Sequence, residues 1–488
     1  MRRIVGFPSI RSFSTKSVTM TRTYADAVTA LNTLQSNFAP SDFNKLNIVH
    51  IAGTKGKGST SAFVSSILSQ YIGATTSKHE ATSKQLQKVG LYTSPHLRFV
   101  RERIQINNQP LSEEKFAQYF FEVWDRLEAA AKEAGHPTDQ TAKPVYFRYL
   151  TLMAFHTYIS EGVDAAIIEC GIGGEYDSTN IIVSPVVTGI TSLGIDHVAM
   201  LGDTIDKIAW QKAGIFKTGA NAFTAPQPEA AIQVIKDRAS EKNVALKVVD
   251  IRPDIANGSI RLGLDAEFQK INASVAIAVA EDYLTRMGNE SPFGQELPEK
   301  VRKGLQEVRW GGRCETREEG KITWCIDGGH TLESIDLVGQ WFSEKNKRRS
   351  GGRARRVLIF NQADRDANAL ARRLHKTLAS SLGEEKPFDH VIFCTNTTFK
   401  ETGYRPDLMS VVITTSNKDV LGTQKELAAT WEEIDPGTNA SVVTTIEEAI
   451  DLVREISSAN DQVPVVTLVT GSLHLVGGLL EVLDSSAA

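Results

Sequence analysis

Short apolar runs alternate along the chain with stretches whose apolar residues recur at helical spacing. The strand-like runs fall at residues 47–52, 165–170, 186–191, 322–326, 357–360, 390–394 and 465–469. Helical spacing covers 59–71, 113–134, 146–161, 272–287, 332–342 and 446–456. Parallel strands need a crossover between them, so this alternation predicts an α/β fold with a mostly parallel sheet. No internal repeat at solenoid periods is visible. Residues 74–88, rich in Ser, Thr, Lys and Gln with one leucine, read as an inserted loop. Residues 345–356 carry seven basic side chains around Ser350, Gly351 and Gly352 and read as a second, solvated loop.

A length of 488 residues admits several domains. Gly311 and Gly312 precede a new strand–loop–helix series, which puts a boundary near 310–318. The division read from the chain is 1–22 as a basic tail, 23–308, a linker at 309–314, and 315–488. With 54 Lys+Arg against 58 Asp+Glu the net charge is −4, so the overall field favours neither nucleic acid nor an anionic membrane. No apolar run approaches the roughly 18 residues that span a bilayer. Cys170, Cys314, Cys325 and Cys394 lie far apart, which suits core thiols in a reducing compartment. Arg2, Arg3, Arg11, Lys16 and Arg22 all precede the first acidic residue, Asp26. That composition fits a mitochondrial presequence or a plain basic tail, and a second start at Met20 would give a cytosolic form, so cytoplasm and mitochondrion are both expected.

After the run at 47–52 come Gly53, Thr54, Lys55, Gly56, Lys57, Gly58, Ser59 and Thr60, and then an amphipathic helix. Strand, glycine-rich loop and helix form a phosphate cradle, in which backbone N–H groups and the helix N-terminus face the anion. Lys57 is placed to neutralise phosphates and Ser59 to hold Mg²⁺. Gly58 interrupts the usual Gly-Lys-Ser order, and a plain glycine turn is the alternative. Glu169 ends an apolar strand, where a carboxylate needs a cation or a hydrogen-bonded core role. His197 reads alone as a satisfied structural histidine or a ligand, Asn272 as a helix cap, and Arg313 as a phosphate contact or a surface residue.

The interrupted loop GTKGKGS resembles that of the Mur-type ATP-dependent amide ligases, and within them the folylpolyglutamate synthase family. Five further blocks follow in family order: Tyr92–Leu97 with Arg101–Ile104, Glu169–Gly174 with Asp177–Asn180, Leu193–Ile215, Trp310–Arg313 with Asp327–His330, and Gly471–Leu475. The resemblance implies an N-terminal P-loop ATPase-like domain with a mostly parallel sheet and a smaller C-terminal Rossmann-like α/β domain. It implies ATP, Mg²⁺ at two sites, L-glutamate and a reduced folate as ligands, with a monovalent cation left open. Matching positions put Ser59, Ser94 and Glu169 at one Mg²⁺, and Glu169, His197 and a carbamylated Lys212 at the other. Gln269, Asn272, Arg313 and Asp327 join the loop at ATP. Lys57, Lys212 and His330 fall at catalytic positions, and Thr93, Ser94, Pro95, His96, Arg103, Asn180 and His330 at the acceptor and glutamate. Glu175, Phe268, Gly311 and Gly329 depart from the usual family residues. Dihydrofolate synthase, a bifunctional enzyme and a non-catalytic nucleotide-binding regulator are the rival readings. A monomer suffices for a clamp between two domains.

Overall fold

The apolar run at 47–52 becomes β1 (Ile48–Ala52), buried along its whole length in the middle of a sheet. The computed structural model describes residues 46–73, 85–138, 143–288, 290, 292–348, 354–363, 365–401, 421–459 and 463–485. The expected presequence, Met20, most of the 74–88 loop and the centre of the 345–356 stretch lie outside them.

In chain order the first half contains α1 (Lys57–Ser69), β2 (Val89–Tyr92), β3 (Ile104–Ile106), β4 (Gln109–Pro110), α2 (Glu113–Glu133), α3 (Tyr146–Glu161) and β5 (Ala165–Glu169). It continues with β6 (Val187–Ile190), α4 (Val198–Leu201), α5 (Ile205–Ala213), β7 (Asn221–Thr224), α6 (Glu229–Glu241), β8 (Ala245–Val248), α7 (Pro253–Ala256), α8 (Gln269–Arg286) and α9 (Glu299–Glu307). Its sheet has eight strands in the order β4-β3-β2-β5-β1-β6-β7-β8. Pairing is parallel from β2 to β8, and β3 and β4 add antiparallel. Strands buried on both faces are apolar throughout, which is why β1 and β5 could be read from the sequence. Helices α1, α8 and α9 cover one face, while α2 and α3 cover part of the other.

The second half begins with β9 (Glu315–Glu319) and β10 (Ile322–Ile326), followed by α10 (Leu332–Lys347), β11 (Arg355–Phe360), α11 (Ala367–Leu382) and β12 (His390–Cys394). Then come α12 (Gly422–Ile434), β13 (Asn439–Val443), α13 (Ile446–Ser458), β14 (Val465–Thr470) and α14 (Leu473–Ser485). These strands form a six-stranded sheet, β13-β12-β11-β14-β10-β9, parallel except for β9. Helices α10, α11 and α12 pack on one face, and α13 and α14 on the other.

The basic stretch at 345–356 is less of a loop than its composition suggests. Its start continues α10 and its end opens β11, with Lys345 paired to Asp265 at 2.7 Å and Arg356 to Glu384. Among the described residues no helix is long and apolar enough to cross a membrane.

Candidate active site

β1 lies between β5 and β6, so the carboxyl ends of these three strands open on one crevice, where open α/β sheets bind ligands. The glycine loop leaves β1 there. Gly56 takes φ 87° and caps α1 without any side-chain hydrogen bond, so the N–H groups heading the helix have no partner within it. Not all of the loop faces inward: Thr54 and Lys55 N–H both donate to Ser192 O, at 3.1 and 3.0 Å, and Thr54 Oγ1 donates to Gly194 O. The part of the loop whose N–H groups are left to receive an anion is therefore 56–59, the start of the helix and its positive end. Ser59 is buried, and its hydroxyl accepts from Gln269 Nε2 at 3.2 Å. Asn272 Nδ2 donates to Gln269 Oε1 at 2.9 Å, and Thr60 Oγ1 lies 3.5 Å from Asn272 O. Helix α8 begins at Gln269, so Asn272 is inside it and the cap reading fails.

Glu169 ends β5 with 3% of its surface exposed and accepts the Ser94 N–H at 3.0 Å. Burial pushes its carboxyl up to about 7, against Lys57, the Ser94 N–H, Arg313 and Arg103. Lys212, equally buried on α5, donates to Gly53 O at 2.8 Å. Burial and the like charge of Lys57 bring its amine down to about 7. A carboxylate this costly to bury suits a divalent cation, and the nearby hydroxyls of Ser59 and Ser94 are hard oxygen donors of the kind Mg²⁺ prefers. Among the described residues, no three His, Cys, Asp or Glu side chains form a ready-made metal cluster. His197 is exposed in the left-handed region at φ 51°, at the head of α4.

Asp196, beside it, accepts from Lys55 Nζ and from Arg365 Nη2, both at 3.3 Å. Burial acts the other way, yet Lys55, His197 and Arg365 hold this carboxyl at about 2. Arg365 belongs to the second half and was not among the residues picked from sequence. Its partner is 169 positions away, and a single arginine in a loop has no local signal. His330 stands close by: burial holds its imidazole at about 4, with Arg313, Lys55 and Arg365 acting in the same direction. Its Nδ1 lies 3.0 Å from Gly328 O. Asp327, raised by burial, accepts the Cys314 N–H at 2.9 Å while the charge of Arg313 opposes the shift.

Arg103, whose charge also acts on Glu169, donates from Nε to His96 Nδ1 at 2.9 Å, and its guanidinium lies over the Tyr146 ring. Thr93 N–H donates to Arg103 O, and Pro95 is exposed. These expected substrate residues share one edge of the crevice. Asn180 does not join them: its amide donates to Glu175 O and Gly214 O, and its Oδ1 is buried.

A family model described as "Dihydrofolate synthetase, C-terminal domain" matches residues 312–482. Folylpolyglutamate synthase of Neurospora crassa is 45% identical over 500 residues, covering 96% of this chain and 92% of the relative. A Saccharomyces cerevisiae protein of the same name is 44% identical over 502 residues, covering 95% and 87%. Among solved structures, the apo form of L. casei FPGS superposes with a TM-score of 0.68 at 21% identity, covering 95% of this chain and all of that one (100%). An FPGS-AMPPCP-folate complex gives 0.64 at 22% identity, covering 94% and 99%. At such identities the structural likeness establishes the fold, the two-part α/β architecture expected from the sequence.

Proposed function

The chain belongs to the folylpolyglutamate synthase family, and from that premise we propose that it uses ATP to join L-glutamate to the γ-carboxylate of a reduced folate or folylpolyglutamate. The observation that carries this reading is the meeting, in one crevice, of a phosphate loop, a buried carboxylate and cationic residues from the second half.

The acceptor carboxylate attacks the γ-phosphorus of ATP, forming an acyl phosphate and ADP. The glutamate amine then attacks the acyl carbon, and phosphate leaves from the tetrahedral intermediate. Lys57 and the N-terminus of α1 meet the phosphate charge, while Gln269 and Asn272 form the adenine side. Arg313 from the linker and Asp327 from the second half close over the nucleotide, excluding the water that would compete for the acyl phosphate. Ser59, Ser94 and Glu169 would hold one Mg²⁺, and Glu169, His197 and a carbamylated Lys212 a second. When bound, Mg²⁺ neutralises phosphate oxygens and polarises the transferring phosphoryl group.

The incoming amino acid brings two carboxylates, and Arg365 and Lys55, which share the single carboxylate of Asp196, are the cations available to meet them. With Nδ1–H donating to Gly328 O, His330 keeps Nε2 as an acceptor for a proton of the glutamate ammonium. His96 and Arg103 line the folate side with Thr93, Ser94 and Pro95.

Glutamate-dependent ADP release with tetrahydrofolate, ATP and Mg²⁺ tests the reading, and nucleotide binding without it would favour the regulatory one. The family-model match favours a second acceptor, dihydropteroate, and exclusive use of that acceptor would make the chain a dihydrofolate synthase. We further propose the division 23–308 and 315–488 about a 309–314 linker, a monomeric enzyme, and dual cytoplasmic and mitochondrial location. A fusion of residues 1–25 to a reporter that stays cytosolic would remove the mitochondrial half of that proposal.

A further inference from the structure

Behind the phosphate loop the core holds a row of polar side chains that the reaction itself does not use. His50, on β1 and 0% exposed, places Nε2 2.9 Å from Thr179 Oγ1 and 3.2 Å from Cys170 Sγ. Thr179 Oγ1 stands 2.6 Å from Asp177 Oδ1. Asp177 also accepts the Thr179 and Ile172 N–H groups, each at 2.9 Å, and the Gly171 N–H. Burial, with Lys217 acting the same way, holds His50 at about 3, so it is a neutral imidazole.

The proton positions follow from the donor inventory. A carboxylate only accepts, so the proton between Thr179 and Asp177 belongs to the threonine. The threonine oxygen is then an acceptor with two neighbouring groups that carry a proton, His50 Nε2–H at 2.9 Å and, at the longer distance of 3.4 Å, the Cys170 thiol, whose proton burial retains. That leaves Nδ1 as a bare acceptor with no hydrogen-bond partner among the described residues. The opposite tautomer would bury an N–H without an acceptor, which protein interiors tolerate less well.

The loop held by this row connects two groups central to the proposed chemistry. It starts directly after Glu169 and is seated on α5 beside Lys212. Glu175 N–H donates to Gln211 O at 2.7 Å, and Asn180 Nδ2 to Gly214 O at 3.3 Å. A Cβ on Gly174 would fall 2.6 Å from Gln211 O and 3.0 Å from Lys212 Cα, so the approach leaves no slack. The separation of Glu169 and Lys212 therefore depends on the path of residues 171–180.

We propose that His50 is a positioning residue, which acts through Thr179 and Asp177 to hold the 171–180 loop and so fixes the spacing of Glu169 and Lys212 for a divalent cation. This rests on the reading of those two residues as metal-side groups. His50→Gln puts an amide nitrogen where Nε2 stands, whereas the amide of His50→Asn matches Nδ1 and falls short of Thr179. Thr179→Val removes the relay hydroxyl.

The full-length variants are compared by hydrogen exchange in peptides covering 171–181 and 205–214, and by Mn²⁺ binding with AMPPCP followed by electron paramagnetic resonance. Thermal melting monitors the fold. The Asn and Val variants are expected to exchange faster in both peptides and to bind Mn²⁺ about tenfold more weakly, with the Gln variant close to wild type. Equal behaviour of the Gln and Asn variants, or unchanged exchange or Mn²⁺ binding in the Asn variant, overturns the proposal. Undiminished Mn²⁺ binding in Glu169→Gln overturns the metal reading instead, and hydrogen exchange still decides the role of His50.

Discussion

Lys212 is a buried amine whose surroundings disfavour its charge, and a carbamate formed on it would present oxygen to a metal where the bare amine cannot. Lys212→Ala is expected to lose most glutamate-dependent ADP release, with partial recovery when small carboxylic acids supply the missing oxygen; full activity without rescue would remove the carbamate. Three of the four departures from family residues have local explanations. Glu175 pairs with the nearly buried guanidinium of Arg238 on α6, so the charge at that position finds its complement there. A Cβ at Gly329 would come within 2.9 Å of Val338, and one at Gly311 within 3.0 Å of Leu97, so glycine relieves crowding at both. His50 gives a pH signature. In the unfolded chain it takes up a proton near 6.5, but in the folded protein only near 3. Between these values the unfolded state binds the extra proton, so stability falls as pH falls. Relative to His50→Gln, which cannot titrate, the wild type should lose about 3 °C of melting temperature between about pH 7.5 and about pH 5.5. The phosphate loop and Glu169 could be read from sequence because the neighbours that explain them are adjacent in the chain. Arg365 could not, since only the fold brings it to Asp196.

Glycine punctuation and most central strands are readable for a related reason, since a strand covered on both faces is apolar, whereas β2 and β7, interior as well, are short and interrupted by Gly90 and by Asn221 and Thr224, so no apolar run marks them. β9 shows the converse. Four of its five residues, Glu315, Arg317, Glu318 and Glu319, are charged because it is an antiparallel edge strand with one side in water, so no apolar run marks it. β8 and β13 are likewise largely solvated and were not foreseen. The strand–loop–helix unit at the phosphate site was foreseen, but its packing was not. A Cβ on Gly56 would fall 2.1 Å from Asn272 Oδ1, at a φ of 87° that already disfavours any other residue. Gly56→Ala thus combines about 1–2 kcal/mol of left-handed backbone cost with displacement of Asn272, which the proposed function puts beside the adenine. Initial rates should show the KM for ATP raised about tenfold or more while the KM for folate changes less. Equal increases in both would place the glycine's role outside the nucleotide site.

A net charge of −4 is compatible with three anionic substrates because the positive charge is local, at Lys55, Lys57, Arg313, Arg365 and a helix end. The same ion pairs that serve the crevice also tie the two halves together, and sequence gives no sign of such long-range pairs. Leu97 packs against the core of the second half, and the neighbouring Arg98 reaches Glu481 and Asp484 on α14, with Nε 3.0 Å from Glu481 Oε2. Arg317 adds a second bond to Asp484 at 2.6 Å. The Glu481 side chain is 3% exposed, so Arg98 meets a desolvated carboxylate across the two halves, and removing the guanidinium weakens both the pairing of that carboxylate and the contact. Arg98→Ala is therefore expected to melt well below wild type. It should also show a larger radius of gyration by small-angle scattering, because the contact it removes spans the two halves. Glu481→Gln in the Arg98→Ala background removes the buried charge that Arg98 met and should recover part of the melting temperature without restoring compactness. If the double variant regains both, the pair acts only on local stability; if neither variant expands, the halves are held by Leu97 and the ion pairs of Lys345 and Arg365 without help from Arg98.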